Sequence, residues 1–406
     1  MRYIHLNNVT FDSTNFKRLT VFLDDQERVI VLPLLWLIHI SSTQSVFTFN
    51  NGFYRHPTCT RNNLDADKSI KESNVSEKSI RDYVQYVYHF LCYLNKESKL
   101  TTIASIHNTE LLNSKTINHY LNQVLPRSLK GNSLKCHQSA ITAYTNFLSS
   151  LKVKEPLKTR IYPKTRQFIA EHLTHKNKIS YVSRSERHSM LKNCTNDRDR
   201  LLLRMGYEVG LRAEENLGLI MSSHNAKGES HDGLLNLFSE LESQPNKYSF
   251  SFTLNGKFTK GGKTRQIYFD RELLLAMRDY FIGERKKAIE NGGHDNNHLF
   301  VRYDNGGEGM PISASQATST FREVKNRVPS MNKGLSYHDL RHTFATELYH
   351  QELNSAEGYE TRSESAALLV VQERLGHSSS KSKKLYIRLR MLMLSIEGER
   401  NDFQQR

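Results

Sequence analysis

Tyr386 lies nine residues after His377, in a stretch that runs Leu375-Gly376-His377-Ser378 and on through Leu385-Tyr386-Ile387. Upstream, His338-Asp339-Leu340-Arg341 places an imidazole and a guanidinium one helical turn apart. A phenol becomes a nucleophile once a neighbour takes its proton, and an imidazole can take or return that proton. A guanidinium fork matches the oxygens of a phosphate bidentately. These residue types at this spacing point to covalent chemistry on a phosphodiester.

Three further cationic residues precede them. Arg198 to Val209 reads as a helix that stops at Gly210, where glycine lets the backbone take positive φ, and Arg212 follows at once, ahead of another helical run with Glu215 and Leu217. An arginine fixed at such a junction can aim its fork at a phosphate, although an exposed arginine at a helix start is the ordinary reading of this signal alone. Tyr248 to Leu254 alternates aromatic with small polar residues, and Arg265 to Phe269 is a second strand-forming run, so the pair predicts a β-hairpin whose long connection, with room for further strand residues, holds Gly261-Gly262 as a tight turn. Lys260 and Lys263 flank that turn. Either could reach a DNA groove and protonate a leaving oxygen; most turn lysines are merely solvated.

Two motifs nearby imitate other chemistries. Gly262-Lys263-Thr264 ends like a phosphate-binding P-loop, but the first glycine of that spacing should fall at Lys257, Gly256 is one residue out of register, and no helix is expected to follow. His338 and His342 share a helix face as in zinc peptidases, which makes a zinc hydrolase a competing reading. Asp339 is a methylene shorter than the glutamate that acts as base there, and no third ligand is evident.

These groups need rigid elements to hold them. Ser183-Arg184-Ser185-Glu186 has the form of a capping box and marks the start of a helix, so a domain of residues 181–406 is expected to begin near Tyr181. Within it, Ser222 to Lys247 forms a polar segment. Residues 153–180 hold Lys154, Lys158, Arg160, Lys164 and Arg166 with Pro156 and Pro163, the composition of a basic linker. Before the linker, Ile80, Tyr83, Val84, Val87, Leu91 and Leu94 recur at three-and-four spacing, as do His137, Ala140, Ile141, Tyr144, Leu148 and Leu151. Residues 72–152 are thus predicted to be a compact helical domain suited to gripping DNA, though a protein-binding bundle has the same pattern. Residues 1–71 mix short apolar stretches with polar turns and show no catalytic pattern.

Composition narrows the partner. The chain has 406 residues, 37% of them hydrophobic, and its 57 Lys plus Arg against 42 Asp plus Glu give a net charge of +15. That balance favours a polyanion, with nucleic acid ahead of an anionic membrane surface. The apolar run from Val29 to Ile40 is too short to cross a bilayer, and the amino terminus lacks the layout of a signal peptide. We expect a cytoplasmic, nucleoid-associated protein. Cys59, Cys92, Cys136 and Cys194 are far apart, as ordinary reduced thiols would be.

Taken singly, each candidate has a bland explanation: His377 in a turn, Tyr386 in a core, His342 packing its helix. Their joint order removes it. Gly210-Leu211-Arg212 with Glu215, Thr259-Lys260-Gly261-Gly262-Lys263-Thr264-Arg265, His338-Asp339-Leu340-Arg341-His342-Thr343, Leu375-Gly376-His377-Ser378 and Tyr386 together resemble the tyrosine recombinase, or phage integrase, family over about Tyr181 to Arg390. The resemblance implies a mainly α fold with a small antiparallel β-sheet, in which a helical core-binding domain and an α+β catalytic domain form a C-shaped clamp on DNA. It implies that Tyr386 attacks the scissile phosphate to leave a 3′-phosphotyrosine and a free 5′-hydroxyl, with His338 as base or hydrogen-bond partner. Arg212 and Arg341 would hold the non-bridging oxygens, His377 would add a hydrogen bond, and Lys260 would protonate the leaving oxygen, with Lys263 as the alternative. Neither metal nor cofactor nor ATP is implied, and Glu215 is expected to orient Arg212. The implied partners are double-stranded DNA and three further copies of the chain, as a homotetramer on paired sites. A DNA-binding protein that keeps the fold without the reaction and a topoisomerase-like relaxing enzyme of similar chemistry are the remaining competitors, and extra length at Ser222 to Lys247 and Gln351 to Glu364 departs from compact members.

Overall fold

The computed structural model describes residues 1–49, 70–97, 105–127, 132–153, 156–172, 180–226, 228–354, 363–376 and 383–404. The chain divides into two units, Met1–Lys176 and Asn177–Arg406.

In the first unit, strands β1 (Arg2–Phe11) and β2 (Thr14–Leu23) pair antiparallel with Phe11 opposite Thr14. The two-residue turn between them is made by Asp12 and Ser13 at positive φ, the geometry that matches the twist of a hairpin. Helix α1 (Val31–Thr43), the hairpin of β3 (Ser45–Phe49) with β4 (Ile70–Asn74), and helix α2 (Glu77–Glu97) follow. Next come the short helix α3 (Ser114–His119) and helix α4 (Asn132–Ser150). The two amphipathic faces meet as their spacing demands: Val87, Leu91 and Leu94 of α2 and Ala140, Ile141, Tyr144 and Leu148 of α4 are buried in one cluster. Leu151 falls outside it and is exposed.

The same cluster takes in Phe22, Ile30, Trp36, Leu37 and Ile40. Residues 1–49 are therefore part of this core rather than a region apart from the helices of 72–152. The stretch read as a linker is folded as well. Residues 156–162 lie against the unit through side-chain hydrogen bonds, and helix α5 (Pro163–His172) continues them, with Ile161 and Ile169 packed on the core.

The second unit opens with α6 (Arg184–Lys192), capped by Ser183 and Glu186 acting reciprocally. Helix α7 (Asp197–Arg204) runs into a π-helical turn at Met205–Val209, which Gly210 ends at φ 74°. The polar segment after it contains regular elements: β5 (His224–Ala226) pairs with β6 (Glu229–His231), and α8 (Leu234–Ser243) sends Leu234, Leu237, Phe238 and Leu241 into the core. The predicted hairpin is β7 (Ser249–Leu254) with β8 (Arg265–Asp270), Phe250 opposite Phe269 and Phe252 opposite Ile267. Gly256 in its connection approaches Gly262 so closely that a Cβ would lie 2.3 Å from the Gly262 carbonyl oxygen, and a strand follows where a P-loop needs a helix. Helices α9 (Arg271–Tyr280), α10 (Lys286–Gly292), α11 (Gln316–Arg327), α12 (Tyr337–Leu353), α13 (Glu364–Leu375) and α14 (Lys383–Gln404) complete the unit. The fold is mainly helical, with two-stranded antiparallel sheets among the described residues. No helix among them is long and apolar enough to cross a membrane.

Candidate active site

Helix α12 carries two of the candidates and is locked to the helix before Gly210. Tyr337 donates its hydroxyl to the Leu202 carbonyl at 3.0 Å, and a Cβ on Gly206 would meet Leu340 at 2.9 Å, so only glycine allows this approach. At the start of α12, Ser336 and Asp339 cap one another. That fixes the first turn, and with it His338 and Arg341.

The centre of the site is a carboxylate. Glu215 is wholly buried and accepts from three arginines: Arg212 Nη1 at 2.6 Å, Arg265 Nη2 at 2.8 Å and Arg341 Nη1 at 3.3 Å. It also takes the Arg212 backbone N–H at 2.8 Å, which ties that arginine's main chain to the same group. Three guanidiniums on one carboxylate leave a net positive charge in a dry place, an arrangement that calls for a further anion. Burial, then the neighbouring Arg212 and Arg265 charges, push the Arg341 pKa down while Glu215 holds it up. A guanidinium starts so high that it stays cationic at neutral pH.

Arg341 also donates from Nη1 to the Gly210 carbonyl and from Nη2 to the Leu375 carbonyl at 2.6 Å. Arg265 donates to that same Leu375 oxygen at 2.9 Å. Leu375 ends α13, and Gly376 caps it in the left-handed conformation at φ 63°. The residue after that cap is His377, which lies outside the described residues.

His338 keeps an open face to solvent, yet its pKa lies below the usual imidazole value. The protein packed around it is the first cause; Arg341, Arg212 and Lys260 add positive charge, and Asp339 opposes them. A neutral imidazole at pH 7 can accept a proton. Lys260 is exposed on the hairpin connection, near enough for its charge to be felt at His338. Lys263 is exposed too, and its carbonyl accepts the Thr259 hydroxyl at 2.7 Å.

Tyr386 sits on α14, buried in an apolar cluster with Ala345, Tyr349, Val371, Leu375 and Leu389. Its phenol is close enough to act electrostatically on Arg341. Arg212, Lys260, His338, Arg341 and Tyr386 are thus drawn into one neighbourhood by residues far apart in the chain. The His338 and His342 rings meet edge to face at 4.5 Å, and among the described residues no third His, Cys, Asp or Glu gathers with them as a metal group would require.

Arg265 was not among the candidates. Its signal was the alternation of β8: Ile267 and Phe269 are the buried face, and Arg265 shares it. An arginine on the inner face of a strand stays there only if paired.

Residues 180–392 match the family model described as Phage integrase family. The chain is 24% identical over 330 residues to Transposase A from transposon Tn554 of Staphylococcus aureus, covering 80% of this chain and 69% of that one. It is 23% identical to the tyrosine recombinase XerD of Halalkalibacterium halodurans over 78% of this chain and 88% of that one. Among solved structures, the XerH site-specific recombinase bound to palindromic difH substrate, in a post-cleavage complex, superposes with a TM-score of 0.52 at 17% identity, over 76% of this chain and 75% of that one. At that identity the likeness is one of fold.

Proposed function

The chain belongs to the phage integrase family of tyrosine recombinases, and from that premise we propose that it is a site-specific DNA recombinase acting through a 3′-phosphotyrosine at Tyr386. What supports this reading is that Arg341 shares Glu215 with Arg212 and that the Tyr386 phenol is close enough to act electrostatically on Arg341. Nucleophile and phosphate clamp belong to one cationic site. The phenol oxygen bonds to phosphorus as the bond to the 5′-oxygen breaks. His338, neutral at pH 7, takes the phenolic proton, and Lys260 returns one to the leaving oxygen. Arg212 and Arg341 stabilise the charge that builds on the non-bridging oxygens, a role in which one lost donor costs on the order of 100-fold to 1000-fold in rate. His377, next to the doubly anchored Leu375-Gly376 turn, adds a hydrogen bond.

Because the phosphodiester's energy is kept in the protein ester, rejoining needs no ATP. The substrate is duplex DNA, bound as paired sites by a homotetramer, and the place of action is the cytoplasmic nucleoid. The test is a duplex with a nick beside the cleavage position, which loses the short leaving strand and traps the ester. Wild-type protein should give a denaturant-resistant protein–DNA band. Tyr386→Phe should bind with unchanged affinity and give none; a band persisting in that variant removes Tyr386 from the role.

A further inference from the structure

Residues 156–162 belong to no helix or strand, yet their backbone is held like one. Ser114 accepts the Lys158 N–H at 3.1 Å, and Asn118 donates to the Lys158 carbonyl at 3.1 Å while accepting the Arg160 N–H at 2.7 Å. Gln138 donates to the Thr159 carbonyl at 2.9 Å. Asn122 donates to the Arg160 carbonyl at 2.7 Å and accepts the Tyr162 N–H at 2.7 Å. Asn118 and Asn122 stand one turn apart, both buried, and each uses both ends of its amide as the peptide of a neighbouring strand would.

A tether between domains has no need of such a backbone. Fixing each residue costs about 1–2 kcal/mol of conformational entropy, and the pinning makes sense only if what it displays must be in place beforehand. What it displays is cationic. Lys158, Arg160 and Tyr162 are exposed while Thr159 is half-buried and Ile161 buried, the alternation of an extended chain, and Lys164 and Arg166 are exposed on the first turn of α5. No Asp or Glu occurs between residues 156 and 170. Among the described residues none of these four cations has an ion-pair partner. Alternate side chains of an extended segment stand about 6.6 Å apart, wide enough for Lys158 and Arg160 to meet separate phosphates rather than share one.

We propose that Lys158, Arg160 and Tyr162, continued by Lys164 and Arg166, form a preorganised strip that grips the sugar-phosphate backbone of duplex DNA. The inference rests on the DNA reading above and adds where the first unit makes its hold. Lysine and arginine would supply charge, and the Tyr162 hydroxyl a hydrogen bond to a phosphate oxygen. Contacts of this kind are independent of sequence and release counterions.

The test uses the full chain and a fluorescent duplex titrated across a series of salt concentrations. K158Q/R160Q should weaken binding about 10-fold and make the slope of log affinity against log salt shallower by about 1.8. K286Q/K287Q, which removes the same charge from α10, should change the slope by less than half as much. Asn122→Ala keeps every cation and should still lose affinity, because the strip is no longer held. If wild type fails to bind duplex at all, the DNA reading falls and the strip with it. If wild type binds and the double variant matches it in affinity and slope, or if the α10 control loses as much, the strip alone is refuted.

Discussion

Arg265 and Arg341 donate to one oxygen, the Leu375 carbonyl, at 2.9 and 2.6 Å, and both also reach Glu215. Arg265 leads β8, directly after the connection bearing Lys260, so this one side chain ties the hairpin to the Glu215 cluster and to the turn before His377. A hydrogen bond to a charged group contributes about 1.5–3 kcal/mol. Arg265→Gln should therefore lower the urea-derived stability of the protein by an amount in that range and slow formation of the covalent DNA adduct at least tenfold. Arg265→Lys should recover stability better than rate, because an ammonium cannot bridge two acceptors in the fork's geometry. Adduct formation at the wild-type rate in both variants would show that Arg265 positions nothing.

Glu215→Gln isolates the central charge. The amide keeps the shape, but three guanidiniums then face one another with no counter-ion, and breaking a buried pair in this way costs about 3–5 kcal/mol. A bound anion should restore part of that loss, so sulfate or duplex DNA should raise the variant's melting temperature by more than it raises wild type's. Equal increments in the two proteins would mean that the cluster does not receive an anion.

Helical spacing carried most of the fold in the sequence. Val87, Leu91 and Leu94, and Ala140, Ile141 and Tyr144, are buried where periodicity places them, because one apolar stripe on a helix has one way to leave water. Residues 1–49 and 156–162 were harder to read. The first joins the core through Trp36 and neighbours on a helix too uniformly apolar to show a face, and the second is held by amides of Asn118, Asn122 and Gln138 that act only once the chain is folded. At the proposed site, residue types and order singled out Arg212, Lys260, His338, Arg341 and Tyr386 as candidates. The convergence of three arginines on Glu215 joins residues as far as 126 positions apart, a relation that no local spacing encodes.

The pH response of His338 follows from its surroundings. Burial and the charges of Arg341, Arg212 and Lys260 disfavour the imidazolium, so its pKa lies below 6.5, the ordinary value for an imidazole. The neutral, proton-accepting form should persist as pH falls through 6.5 and give way only below it. Nuclear magnetic resonance titration of the His338 ring should show this midpoint, and Lys260→Ala, which removes one opposing charge, should move it upward. A midpoint at or above 6.5 in wild type, or a downward move in the variant, contradicts the assignment of His338 as a neutral base.

Gly210 joins the two halves of the proposed phosphate clamp: its carbonyl accepts from Arg341, and two residues on stands Arg212. Its φ of 74° is left-handed, and a Cβ there would lie 2.5 Å from Cδ1 of Phe344. For an L-residue the backbone alone costs roughly 1–2 kcal/mol, and forcing a methyl against a packed ring typically adds about 1–3 kcal/mol. Gly210→Ala should lower stability by about the sum of the two and, by displacing both arginines, slow adduct formation more than it weakens DNA binding. Pairing it with Phe344→Leu, which vacates the space, should return the steric part and leave the backbone part. If Gly210→Ala alone changes the denaturation midpoint no more than an alanine on the exposed face of α10 does, the left-handed turn is not what sets Arg212.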